Sequence, residues 1–157
     1  MTVYKYENIH ASNEITHIRQ KYYFAAILSL LSGFLIYIFF RNHNVLIFRI
    51  FLKPSFLESI YFPAVSDSIF ISMFLFNLPD GLWFLSGLLI IRAVWITNPK
   101  WRLIYFLIFS FAALFMEISQ IYNTVPGTFD FLDIVFMMLF AITEYFIFIK
   151  YSKRSIL

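Results

Sequence analysis

Glu117, Gln120, Asp130 and Asp133 fall within the nineteen residues EISQIYNTVPGTFDFLDIV, 117–135, between two stretches of almost unbroken hydrocarbon side chains. Glu117 and Gln120 stand three apart and so share one helical face. Asp130 and Asp133 repeat that spacing where the next helix is expected to begin. Pro126-Gly127 between the pairs predicts a tight turn, which would bring the two faces together. Glu117 lies about one and a half turns inside an apolar run, where an ionisable group costs a few kcal/mol and commonly faces a polar cavity or a partner. Carboxylates this close, with no basic residue among them, cannot all stay ionised cheaply. The expectation is that a divalent cation occupies the site, held by Glu117, Asp130 and Asp133, or that the deeper Glu117 keeps its proton. Thr128 or Asp130 could also cap the helix that follows, where a carboxylate suits the positive end of the dipole.

The elements that carry these residues are apolar helices. The chain has 157 residues, 61% hydrophobic, 22% aromatic and only 13% charged, with a mean hydropathy of +0.79. A water-soluble domain of this size needs a charged surface that these residues cannot supply. Several runs approach the roughly 20 apolar residues that cross a hydrocarbon core of about 30 Å. Nothing alternates like a barrel strand, so backbone pairing within lipid predicts helices. The fold expected is an all-α transmembrane bundle of four spans, 22–40, 81–97, 103–122 and 131–149, in one domain. Residues 41–80 are expected to form a re-entrant or interfacial external segment, with a fifth span over 59–76 as the less favoured arrangement. Tails 1–21 and 150–157 flank the bundle.

Basic residues set the orientation. On the four-span reading eight lie on one side, in the two tails and the turn at Lys100 and Arg102. Three lie on the other, Arg41, Arg49 and Lys53. The richer side is expected to be cytoplasmic, which places the turn at 123–130 outside. The net charge of +3 is read as a topology signal and a weak attraction to membrane lipids, not as nucleic-acid binding. With no cysteine, disulfides and thiolate metal sites are excluded.

The motif resembles one in the VanZ-like family of small bacterial membrane proteins: E-x-x-Q near the end of one helix, a short turn, then G-T-F-D-x-x-D opening the next. NLPDGLW, residues 77–83, is similar to the polar start of a core helix in that family. The likeness covers roughly residues 77–140 and places Asp80, Glu117, Gln120, Asp130 and Asp133 on the family's polar positions. It lacks a His soon after Asp80 and an Arg between Gln120 and Asp130. The resemblance implies the bacterial cell envelope, read here as the cytoplasmic membrane, and a role like that of proteins linked to glycopeptide resistance; the basic residues put the carboxyl terminus inside. Two functions remain open. One is a non-enzymatic envelope protein whose outward acidic pocket, those five residues, binds a lipid head group, a cell-wall precursor or a cation. The other is a membrane-embedded enzyme acting on a lipid-linked substrate, with Glu117 and Asp133 as acid and base or as ligands to Mg²⁺, Ca²⁺ or Mn²⁺. The absence of His from the motif weighs against the enzyme. So does the lack of a base partner for Ser119 or Thr128.

Two further charges fall inside spans. Arg92 and Glu144 each stand five residues before the end of a span, on helices running in the same direction. Equal depth predicts an ion pair between them. Trp83, Trp95, Trp101, Tyr22, Tyr122 and Tyr151 are expected as interfacial anchors. Ser29, Ser32 and Gly33 are small enough to let another helix approach.

Overall fold

The computed structural model describes residues 2–40, 69–125 and 129–154, with side chains over 13–40, 71, 73–125 and 129–147. Among these residues the regular elements are all helices: α1 Thr2–Phe40, α2 Ile69–Val94, α3 Pro99–Ile121 and α4 Phe131–Arg154. Much of the expected external segment, including the fifth-span residues 59–68, lies outside the described residues. Pro126, Gly127, Thr128, His43 and the side chain of Tyr151 do so as well.

Three helices are long and apolar enough to cross a membrane: Asn13–Phe40, Met73–Val94 and Pro99–Ile121. α4 is 24 residues long, about 36 Å at 1.5 Å per residue. It runs parallel to α2, joined by the Phe74–Phe136 ring contact towards one end and by Arg92–Glu144 towards the other. It therefore occupies the same depth as α2. The distribution of polarity points the same way. Large apolar side chains such as Phe111, Phe115 and Phe146 are exposed, whereas Ser29, Asn77, Ser86, Arg92, Glu117, Ser119, Asp133 and Glu144 are buried. Among the described residues the polar buried side chains outnumber the apolar ones. That arrangement suits a hydrocarbon surround and not water. The chain is an all-α membrane protein.

Two expected boundaries move. The amino-terminal tail is not separate from the first span, because α1 is one helix of 39 residues; no proline interrupts it, and its first glycine is Gly33. The larger change is at α2, which begins at Ile69 and carries Pro79 inside it. Residues 69–80 are therefore not part of a re-entrant or interfacial segment, and no break separates them from the span that follows. Proline removes one helical N–H, and the helix tolerates this where neighbouring helices support it. Pro79 is fully buried, and α1 packs directly over it.

That packing is close. A Cβ on Gly33 would lie 2.7 Å from the Trp83 ring atoms Cδ1 and Nε1, and 3.0 Å from the Pro79 carbonyl oxygen. The Trp83 ring is stacked on Tyr37 at 5.4 Å and has little room to retreat. Ser29 Oγ, one turn earlier on α1, donates to the Leu82 carbonyl at 2.9 Å. Ser29 and Gly33 therefore do admit a helix, and it is α2. Trp83 is a packing residue in mid-helix and not the expected interfacial anchor, because α2 starts at Ile69 and not at Gly81. Gly33→Ala is expected to cost about 1–3 kcal/mol through overpacking. Reversible unfolding in mixed micelles measures it; an unchanged midpoint would mean that α1 is free to shift.

The α2–α3 turn follows its sequence. Asn98 caps α3 by accepting from the Trp101 N–H at 3.3 Å, and Pro99 takes the first helical position, where its missing N–H costs nothing. Trp95 stacks on Tyr105 at 5.2 Å and Trp101 lies beside both, an aromatic group at the end of the bundle.

Candidate functional site

The motif's turn is built by backbone bonds. α3 ends with Asn123 in the left-handed region, φ 53°. The Asn123 N–H donates to the Gln120 carbonyl at 3.0 Å, and the Thr124 N–H donates to the Ser119 carbonyl at 3.3 Å. This pair of bonds is the Schellman arrangement, and asparagine is among the few residues that adopt its positive φ at low cost. Thr124 Oγ1 adds a 2.8 Å bond to the same Ser119 oxygen. Asn123→Val is expected to lose about 1–2 kcal/mol from the left-handed strain, with Asn123→Gly near neutral. Thermal unfolding of the two variants measures the difference, and equal midpoints would count against the strain.

Asp130 caps α4: its Oδ1 accepts from the Leu132 N–H at 2.9 Å. Its own N–H donates to Glu117 Oε1 at 3.3 Å, and Gln120 Nε2 donates to Glu117 Oε2 at 3.3 Å. Glu117 therefore joins its own helix to the start of α4 through both carboxylate oxygens. It is 6% exposed, and Asp133, on the first turn of α4, is 5% exposed. Both carboxyl groups belong to the interior and not to the lipid face.

Helix register brings α2 to the same place. Phe84 stacks on Phe109 of α3 at 5.4 Å, and that ring also lies over Gly87. Asn77 and Asp80 precede Phe84 and Gly87 by seven residues each, so they continue the face of α2 that meets α3. α3 is antiparallel, and just over two turns along it from Phe109 stands Glu117. α4 is level with this point, because Phe136 packs at Gly81, less than one turn past Asp133. Asp80 is half-buried. It lies roughly 16 Å along α2 from Ile69, not at the helix start as expected, because the helix continues through Pro79. Asn77, 3% exposed, is a buried polar residue of this face that the motif does not include. Its side chain donates to the Met73 carbonyl at 2.8 Å. A polar residue three before Asp80 in an otherwise apolar run was the signal available.

Glu117, Gln120 and Asp130 are thus in direct contact, and Asp80 and Asp133 face the same level from the other two helices. Among the described residues no three Asp, Glu or His side chains form a group that could hold a metal ion; Glu117, Asp130 and Asp133 are expected as ligands only in the case that a cation binds. The acids are distributed over three helices. Ser119 Oγ is occupied with the Phe115 carbonyl at 2.6 Å.

A second polar centre lies at the other end of the bundle. Arg92 and Glu144 form the expected ion pair. Arg92 Nη2 also donates to the Glu144 carbonyl, and Nη1 to the Tyr22 hydroxyl, both at 3.1 Å. The guanidinium carbon stands 5.1 Å from the centre of the Tyr22 ring. Tyr22 is therefore a partner of a buried charge, not the membrane-surface anchor expected.

The fold and the polar interior define an all-α membrane protein with an acidic group of side chains near one end and an arginine–glutamate pair towards the other. Comparison with family models, with curated proteins and with solved structures finds no match to the chain.

Proposed function

We propose that this chain is a VanZ-like cell-envelope protein whose acidic pocket binds the cationic part of a lipid head group or a cell-wall precursor, without catalysing a reaction. On this reading the protein lies in the bacterial cytoplasmic membrane, as the VanZ-like resemblance implies; placing the basic tails inside makes the carboxyl terminus cytoplasmic, and the pocket then faces outward. A role of the glycopeptide-resistance kind would follow from holding a precursor or altering its exposure. The observation that supports the reading is that Asp80, Glu117, Asp130 and Asp133 stand at one level on three helices, with Glu117 and Asp133 buried and Glu117 accepting from the Asp130 N–H. Buried carboxylates of one sign create a site that a positive group completes. Their distribution over three helices supports an extended ligand such as an amine-bearing head group over a bare metal ion.

The test is thermal stability of the purified full-length protein titrated with phosphatidylethanolamine, phosphatidylglycerol, Mg²⁺ and Ca²⁺ in separate series. Phosphatidylethanolamine is expected to stabilise, and Asp133→Asn to weaken that effect at least about tenfold, the loss of one charge-assisted hydrogen bond. Stabilisation by Mg²⁺ or Ca²⁺ alone, lost in Glu117→Gln, would replace the head group with a cation. Turnover of a lipid-linked substrate abolished by the same variant would make the protein an enzyme.

A further inference from the structure

The Glu117 carboxylate is already engaged by its own chain. Oε1 accepts from the Asp130 N–H and Oε2 from Gln120 Nε2, both at 3.3 Å, and the residue is only 6% exposed. Both bonds are long, since N–H···O distances centre on about 2.9–3.0 Å. An ammonium group would hold the same oxygens at about 2.7–2.9 Å, in a bond roughly twice as strong as a neutral donor makes. At that distance it would also meet the partly positive hydrogens of both amides. The two neutral donors therefore stand where a cation bound by Glu117 must come in.

The donors differ in how they can give way. Gln120 offers a side chain, half-buried, which can turn from Oε2 without moving the backbone. The Asp130 N–H belongs to the junction with α4, where Asp130 Oδ1 also caps the Leu132 N–H at 2.9 Å. On the α3 side Asn123 and Thr124 are tied back to Gln120 and Ser119, so the yielding part is the start of α4. Asp130 is half-buried, and water at the end of the bundle can take over its N–H. We infer that Glu117 is a latch, closed in this structure, and that a head-group ammonium opens it by taking the carboxylate from the Asp130 N–H. This inference rests on the reading of the pocket as a site for an amine-bearing head group. It adds a regulation to that site: binding stabilises the protein as a whole while it releases the junction of α3 with α4. By linkage, whatever strengthens the latch weakens the ligand to the same degree.

The experiment follows residue-resolved hydrogen exchange and thermal stability of the full-length protein in phosphatidylcholine–detergent micelles, titrated with phosphatidylethanolamine or with further phosphatidylcholine. Phosphatidylethanolamine is expected to raise the unfolding midpoint and to leave the amide of Leu88, a buried residue of α2, at least as protected as before. Over the same titration the Asp130 amide should exchange about tenfold faster, the scale of one lost hydrogen bond. Gln120→Met removes one competing donor and should lower the half-saturating concentration of phosphatidylethanolamine about fivefold. Stabilisation with the Asp130 amide equally or better protected would overturn the latch and leave the pocket reading intact. So would an unchanged or higher half-saturating concentration in Gln120→Met, since Gln120 would then not compete with the ligand. Equal loss of protection in phosphatidylcholine would assign the release to lipid in general and overturn the latch as well. The Asp130 measurement needs only the wild-type chain, so it decides the matter if Gln120→Met does not fold. No stabilisation by phosphatidylethanolamine at any concentration would remove the pocket reading, and the latch with it.

Discussion

Arg92→Leu should destabilise the protein by about 3–5 kcal/mol, the cost of leaving one member of a buried ion pair without the other. Arg92 is 2% exposed, and its removal takes away its interactions with the Glu144 carboxylate, the Glu144 carbonyl and the Tyr22 hydroxyl. The surroundings are helices in hydrocarbon, so water is not close at hand to replace them. Glu144→Leu should fall in the same range, because it leaves the guanidinium uncompensated. The combination Arg92→Leu with Glu144→Leu should lose much less than the sum, since apolar replacement of a whole buried pair is often neutral. Reversible unfolding in mixed micelles measures all three variants. Strict additivity would show no coupling and dissolve the pair as an energetic unit. Tyr22→Phe keeps the ring beneath the guanidinium and removes one bond, so its cost should be nearer 1 kcal/mol.

Glu117→Leu should cost about 3 kcal/mol. It leaves the Asp130 N–H and the Gln120 amide without their acceptor, and bonds to a charged group are each worth about 1.5–3 kcal/mol. The variant should also loosen the start of α4, because Asp130 caps that helix while tied to α3. Glu117→Gln retains an amide oxygen that can accept from Asp130, and it should lose about 1 kcal/mol. The pair separates two roles of one residue. A large loss in the leucine variant with a small one in the glutamine variant identifies Glu117 as the clamp of the α3–α4 turn. A ligand response lost in both assigns it to the pocket as well. If the leucine variant unfolds at the wild-type midpoint, the clamp has no energetic weight. Hydrogen exchange at Asp130 and Leu132 provides a local check, since these amides should become less protected.

Much of this protein was legible one residue at a time. Helix was forced by apolar runs that leave the backbone no solvent partner, and the Asn98-Pro99 boundary follows from capping chemistry. Counting residues from span ends put Arg92 and Glu144 at equal depth, and a short turn between E-x-x-Q and D-x-x-D put Glu117 beside Asp130. Each of these depends on local spacing, which the chain carries in itself. The tertiary structure decided the rest. Pro79-Asp80-Gly81 has the composition of a turn, yet it is helix, because α1 packs over Pro79 at Gly33 and the α2 backbone must stay paired within the bundle. That one continuity moves Trp83 from a membrane surface to an interhelical contact, and Asp80 from a helix start to the interior of α2. It also brings the buried Asn77 into line with Asp80. The meeting of Tyr22 with Arg92, and of Arg102 with Glu144 in one cleft, joins residues far apart in the chain. Such meetings depend on the register between helices, which is set by how noncontiguous side chains interlock and not by any period within one helix.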